Sequence, residues 1–175
     1  MKAISKIFGL MLIIAIAFSS CSSDDKKTEA TFDGVCKHSL AFGNIDKDNI
    51  TTTPESISDL NTMLSDYTFI SPITSGVLNL TEVTSVKITG LKNGVTLKNF
   101  SLYINDSKKD FGDIIPEKAT LYNSSTIDYF KDVFYKMVAQ KKIRVKASFT
   151  PSEDIKSTDN IKVEIVFNGR FTYWQ

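Results

Sequence analysis

The sequence predicts a mainly β to α+β fold, an antiparallel β-sandwich with one or two short helices, and three observations carry this prediction. Apolar and polar residues alternate in several short segments, as they do in strands with one buried face. Glycine, proline and asparagine separate those segments at positions typical of turns. Only two segments repeat their apolar residues at helical spacing. A small lipocalin-like open barrel is the alternative, because strand number and register decide between the two.

The predicted strands are most regular between Lys142 and Phe149, where apolar residues alternate with basic or polar ones. One face of this strand is therefore expected to be buried, and the other is expected to meet water. Less regular alternation predicts further strands over residues 35–42, 77–80, 86–91, 95–104, 119–122, 161–167 and 171–174.

The connections between these strands carry turn signals. Asn93-Gly94 predicts a tight hairpin turn, and Asn168-Gly169 predicts a second turn. The apolar residues change parity near Lys98-Asn99, which predicts a β-bulge there. Residues 105–117 are mostly polar and are predicted to form a loop.

Two segments are predicted to be helical. The first extends over residues 53–67, where Thr53 can cap the helix. The second extends from Thr126 to Ala139, and Ser125 and Asp128 have the spacing of a capping box. The apolar positions at helical spacing are Ile57, Leu60, Leu64 and Tyr67 in the first, and Ile127, Phe130, Phe134, Met137 and Val138 in the second.

The N-terminus has the pattern of a secretory signal. Lys2 and Lys6 form a basic start, and an apolar run extends from Ile7 to Phe18 before two small serines. A membrane-spanning helix needs about 18 or more apolar residues, which is longer than this run. Residues 1–20 are therefore predicted to be a signal peptide that is removed.

The residues Phe18-Ser19-Ser20-Cys21 resemble the lipobox of bacterial lipoproteins, although Leu is commoner at the first position and Gly or Ala at the third. The resemblance implies that Cys21 is acylated and becomes the new N-terminus. The next residues resemble the acidic tether of Bacteroidota lipoproteins, and this implies export to the outer face of the outer membrane, with the periplasmic face as the alternative. That export signal comprises Ser22, Ser23, Asp24 and Asp25.

The predicted organisation is a signal peptide (1–20), an acylated cysteine with its tether (21–31) and a single antiparallel β-rich domain (32–175). The domain size is sufficient for one hydrophobic core. The sequence has 21 basic and 20 acidic residues, and removing Lys2 and Lys6 reverses the balance to a side-chain charge of −1, since 19 basic residues then face 20 acidic ones. This near-neutral charge argues against a nucleic-acid partner.

No metal or cofactor site is predicted. Cys36 and His38 would share one face of a strand, but a zinc site normally takes at least three protein ligands. With Cys21 acylated, Cys36 is expected to be a small buried apolar residue. Asp46 and Asp48 begin like a calcium loop, yet an isoleucine occupies the position of the third oxygen ligand.

Two sets of residues are candidates for binding. Basic side chains on the water side of one strand could meet an anionic surface, an envelope protein or a glycan, or they could simply be solvated. Aromatic side chains near the end of the sequence could stack on a sugar or an apolar ligand, or they could fill the core. The first set is Lys142, Arg144 and Lys146, and the second is Phe171, Tyr173 and Trp174.

No catalytic motif is recognisable in the sequence, although carboxylate pairs can hydrolyse glycosides without any local signature. The predicted function is that of a lipid-anchored cell-envelope lipoprotein that serves as a non-catalytic binding or accessory module. One alternative is a lipocalin-like binder of an apolar ligand. The other is an envelope hydrolase that uses carboxylates.

Overall fold

The computed structural model describes residues 28–64, 67, 72–80 and 84–175. Strands in these residues form two antiparallel sheets, which confirms the predicted β-sandwich. The sheets do not close into the lipocalin-like barrel that was the alternative. The predicted signal peptide, Cys21 and the export signal lie outside the described residues.

The described residues form nine strands, two α-helices and two short 3-10 turns. The strands are β1 (Glu29–Ala41), β2 (Thr51–Thr52), β3 (Ser56–Asp59), β4 (Ile73–Leu78), β5 (Ser85–Thr89), β6 (Leu97–Ile104), β7 (Ser107–Ile114), β8 (Lys142–Pro151) and β9 (Lys162–Trp174). The helices are α1 (Leu60–Met63) and α2 (Ile127–Gln140), and short 3-10 turns occupy Pro116–Lys118 and Ser157–Asp159.

The first sheet is built around the long strand β9. On one side β1 pairs along the whole of β9, so that Glu29 lies opposite Trp174 and Ala41 opposite Lys162. On the other side β4 pairs with the last part of β9 and β5 with the first part. β1 begins at Glu29, three residues before the boundary predicted for the domain.

The second sheet is built around β8 and β6. β8 pairs with β6 on one side and with both β2 and β3 on the other, and β7 pairs with the free side of β6. The alternation predicted for β8 is confirmed, because every second residue is buried. Its buried residues are Ile143, Val145, Ala147, Phe149 and Pro151.

Aromatic rings on α2 fill the interior beside the first sheet. The Phe134 ring centroid lies 5.9 Å from that of Phe167 and 5.7 Å from that of Phe171. Phe130 adds a further contact with Phe167 at 6.3 Å. All four rings are fully buried, and the Phe130 ring also lies 6.3 Å from that of Phe111 on β7, so α2 packs against both sheets in one core.

Gly169 lies inside β9, so the turn predicted at Asn168-Gly169 is wrong. A Cβ atom at Gly169 would lie 2.5 Å from Cζ of Phe134, which is closer than atoms can pack. The glycine therefore marks the close approach of an aromatic ring to the strand, rather than a change of chain direction.

The first predicted helix, over residues 53–67, is wrong for most of its length. Residues 56–59 form β3, and among the described residues of the segment only Leu60–Met63 is α-helical. Thr53 does not cap a helix, because its backbone N–H and its hydroxyl both bond to Ala147 on β8. Ile57 is 57% exposed instead of facing the core. Pairing with β8 thus replaces the local helical preference.

The loop predicted over residues 105–117 is also wrong, because most of it forms β7. β6 and β7 make a hairpin around Asn105 and Asp106, whose φ angles are 45° and 67°. Two successive residues of positive φ are typical of the tight turn that joins hairpin strands. β7 has polar residues on both faces, such as Lys109 and Asp110, and therefore lacks the alternation by which strands are recognised.

The remaining loop predictions have mixed outcomes. The β-bulge at Lys98-Asn99 is confirmed by a shift of register in β6 and by a φ of 52° at Asn99. A turn is present at Asn93-Gly94, where the N–H of Val95 donates to the carbonyl oxygen of Lys92, but it joins no hairpin because β5 and β6 belong to different sheets. The strand predicted over 119–122 is reduced to one bridge between Thr120 and Lys87.

The second predicted helix is confirmed, since α2 extends over Ile127–Gln140. The capping box is not formed, because Thr126 is the N-cap residue and makes no side-chain capping bond. Its hydroxyl donates to the carbonyl oxygen of Leu121 instead. Among the described residues, no helix has the length and apolar character needed to cross a membrane.

Candidate binding surfaces

The outer face of the second sheet carries the predicted basic stripe. Lys142, Arg144 and Lys146 occupy alternate positions of β8, and they turn away from the core because the residues between them are buried. The side chains of alternate strand residues lie roughly 6.7 Å apart, so the three cations form a row along the strand.

Asp106 partly neutralises this row. The guanidinium of Arg144 donates to Asp106 over 2.7 Å, across the start of the β6–β7 hairpin. Nε of the same guanidinium is buried and has no hydrogen-bond partner in the part of the chain that the structure describes. Arg144 is therefore held in place by the hairpin turn, and Lys142 and Lys146 supply most of the charge that the row can offer to a ligand.

Tyr103 completes this surface and was not singled out in the sequence. It lies between Lys146 on β8 and Lys108 on β7, which are its partners in strand register. The Nζ atoms of these lysines lie 5.2 Å and 5.8 Å from the centre of its ring. Each such cation–π contact contributes about 0.5–1 kcal/mol at an exposed site.

An ion pair on β7, at the border of this surface, shifts the pKa values of its two members. The hydrogen bond from Lys108 to Asp110, 2.8 Å long, raises the pKa of Lys108 and lowers the pKa of Asp110. Ser101 donates a further hydrogen bond to Asp110. We name the surface formed by Lys142, Arg144, Lys146, Tyr103 and Lys108 the cationic face.

The structure separates the predicted aromatic platform into three environments. Phe171 is fully buried and belongs to the core, so the prediction that its side chain binds a ligand at the surface is wrong. Tyr173 is half-buried and meets the ring of Phe32, with 5.9 Å between centroids. Trp174 is 37% exposed, which makes it the member of this set that a ligand could reach most easily.

Cys36 and His38 are both buried on the inner side of β1. Burial raises the pKa of Cys36 to about 12, so the thiol stays protonated and is a poor nucleophile. Nδ1 of His38 lies 3.0 Å from Oγ of Ser58 on β3, whereas Nε2 is buried and has no hydrogen-bond partner among the described residues. Desolvation lowers the pKa of His38 and favours its neutral form.

A shallow cleft of about 480 Å³ lies beside His38, where β1 of the first sheet approaches β3 of the second. Lys162 and Glu164 line it and form an ion pair of 2.9 Å. The ion pair therefore satisfies these two side chains of the cleft. In the part of the chain that the structure describes, no cluster of three metal-ligating side chains is present.

The acidic residues whose pKa values shift are all held in the ionised form. Hydrogen bonds from Arg or Lys side chains lower their pKa values, whereas the general acid of a glycosidase needs a raised one. These residues are Asp33, Asp110, Asp132, Asp159 and Glu164.

Comparisons with family models, curated proteins and solved structures find no similar protein.

Proposed function

We propose that this chain is a lipoprotein of the bacterial cell envelope whose β-sandwich acts as a non-catalytic binding module. In this proposal the acylated Cys21 anchors the protein in the outer membrane, and the domain stands on the cell surface. The observation that best supports this proposal is the short length of chain between Cys21 and the first strand. β1 begins at Glu29. A folded domain therefore follows almost directly after a lipobox-like segment.

The cationic face is the part of the domain best suited to a ligand. It combines an aromatic ring with cations on one sheet face, and Lys142 and Lys146 extend it along β8. Carboxylated or phosphorylated glycans present both anionic groups and sugar rings, which such a surface can pair with and pack against. We therefore propose an anionic envelope glycan as the ligand.

Two features of the described residues favour this proposal over the alternatives. Phenylalanine rings of both sheets and of α2 pack against one another in the core, whereas a lipocalin-like binder needs an apolar cavity there. The shifted carboxyl groups are ionised within salt bridges, which does not fit an acid pair in a hydrolase.

Replacing Cys21 tests the anchor. In Cys21→Ser, incorporation of a labelled fatty acid should be lost and the protein should leave the fraction that carries acylated lipoproteins, because no thiol is available for acylation. The measurement is metabolic labelling followed by separation of membrane and supernatant. A matched Cys36→Ser variant should label normally, since that thiol is buried in the fold. Unchanged labelling of Cys21→Ser would contradict the proposal.

Protease digestion of intact cells tests the face of the membrane. The native protein should be cleaved on intact cells if it stands on the outer face, and Asp24→Ala with Asp25→Ala should reduce that cleavage. Ser22→Ala with Ser23→Ala tests the two serines of the same signal. Full protection of the native protein would instead assign the domain to the periplasmic face.

A further inference from the structure

We propose that the end of the sandwich that carries Trp174 docks onto the membrane holding the lipid anchor, with the indole in the headgroup region. This inference rests on the proposed anchoring through Cys21. It adds an orientation of the domain and a second, non-covalent contact with the lipid surface.

The chain enters the fold beside Trp174. Thr28 and Gln175 exchange two backbone hydrogen bonds of 3.3 Å and 2.9 Å. In the next register pair, Glu29 of β1 lies opposite Trp174 of β9. The first described residues after the anchor are therefore bound to the strand end that presents the indole.

The distance between anchor and indole has an upper limit. Thr28 lies seven positions after Cys21, and a fully extended chain of seven steps spans at most about 25 Å. This limit holds for any conformation of those residues. Trp174 thus stays close to the acylated cysteine and to the lipid surface that holds it. The short tether gives the indole a high effective concentration at that surface, so even a weak affinity of the indole for lipid produces binding.

The chemistry of this end suits the water–lipid interface. Indole rings prefer that region because they combine an apolar surface with one N–H donor. Tyr173, next to Trp174, pairs in register with Ile73, and Ile73 lines one cleft with Lys141 and Asp59. Lysines beside an aromatic group add attraction to anionic headgroups.

Acidic groups at the same end limit that electrostatic attraction. Glu29 lies opposite Trp174 in register, and Asp59 lies in register with Lys142. The positive charges at this end are therefore roughly balanced by negative ones. Insertion of the indole should contribute most of the binding to the lipid surface. Docking is accordingly expected on a zwitterionic surface as well as on an anionic one.

End-on docking leaves the cationic face accessible. β8 starts at Lys142, at the docking end, and its residue Phe149 lies about 23 Å further along the strand at the usual rise per residue. The strands would then stand away from the membrane, and the faces of both sheets would point sideways. A glycan could reach Tyr103 and Lys146 in that orientation.

The fluorescence of Trp174 tests this arrangement directly, because the sequence contains one tryptophan. The acylated full-length protein is inserted into vesicles of phosphatidylcholine, either plain or brominated near the carbonyl end of the acyl chains. We expect emission at shorter wavelength than for a tryptophan in water, and loss of intensity in the brominated vesicles. Flotation of the vesicles reports anchoring independently.

A matched control moves the tryptophan to the far end of the sandwich. Ile50 is 85% exposed and lies next to β2, which pairs with the distal part of β8. In the double variant Trp174→Phe with Ile50→Trp, bromine should leave the emission unchanged. The native protein carries the main readout, so the test does not depend on the folding of this variant.

The flotation and quenching results together distinguish the docking proposal from the anchoring proposal. Flotation with quenching of Trp174 supports the docked end. Flotation with intensity that bromine does not change overturns the docking and leaves the anchor intact. Absence of flotation overturns the proposed anchoring, and the docking with it.

Discussion

Tyr103 determines the character of the cationic face at the scale of single residues. Without it, the row on β8 would be three half-buried cations on the outer face, one of them paired with Asp106. With it, Lys146 and Lys108 lie against an aromatic ring and their positions are defined. The parity of β6 could have identified Tyr103, because its neighbours Leu102 and Ile104 are buried.

The cationic face should bind a carboxylated glycan through its lysines. An exposed ion pair contributes about 0.2–1 kcal/mol, so Lys142→Ala with Lys146→Ala should weaken binding about 2- to 30-fold. The measurement is the affinity for polygalacturonate at low salt. The matched control, Lys87→Ala with Lys162→Ala, removes two cations from the first sheet and should bind as the native protein does. An equal loss in both variants would contradict a specific surface.

His38 should make the stability of the domain depend on pH. It is the only histidine in the sequence, and desolvation lowers its pKa in the folded state. The unfolded chain takes up a proton near the ordinary value of about 6.5, which the folded state resists. Stability is therefore expected to be complete above that pH and to fall as the pH decreases through 6.5.

Urea unfolding at pH 7.5 and pH 5.5 measures this effect. The free energy of unfolding should be lower at pH 5.5 for the native protein, and His38→Asn should reduce the difference between the two conditions. Carboxyl groups of lowered pKa titrate below this window, at about pH 4 and under. The same pH dependence in both proteins would rule out His38 as its source.

At the scale of elements, strand pairing decides several segments that have no clear local preference. β3 lies within a segment whose apolar spacing favours a helix, but its backbone bonds to β8. β7 has polar residues on both faces, and its pairing with β6 is established by the turn at Asn105 and Asp106. By contrast, α2 and β8 were predictable, because the pattern of each agrees with its burial.

Gly169→Ala should destabilise the protein, because the new methyl group would meet the ring of Phe134 at 2.5 Å. Overpacking of this kind typically costs about 1–3 kcal/mol. The measurement is the free energy of unfolding in urea. Gly43→Ala is the matched control, since a Cβ atom there has no neighbour within 4 Å. Equal stability of both variants would show that α2 can move away from β9 without cost.

At the scale of the whole molecule, one continuous core unites the two sheets and α2. Phe134 contacts β9 of the first sheet, and Phe42 on the β1 side meets Phe149 of the second sheet at 4.7 Å. Residues of both sheets and of α2 therefore pack in the same core. We expect the described domain to unfold as one unit.

Two optical probes test this expectation. Circular dichroism reports the sheets, and the emission of Trp174 reports the end of β1 and β9. Their urea transitions should coincide, because the docking end is paired into the same sheet as the core strand. Separate midpoints would indicate that the strand ends open before the rest of the sandwich.

The sequence by itself determined the class of fold, α2, the alternation in β8 and the bulge in β6, because each depends on a local pattern of burial or backbone conformation. It also carries the resemblance to a lipobox, which stays a prediction about residues outside the described part. Only the tertiary structure decided that Phe171 is core, that Tyr103 lies between two lysines and that Trp174 lies beside the start of β1. These depend on which strands pair and in what register, and contacts between residues far apart in the chain leave no local pattern.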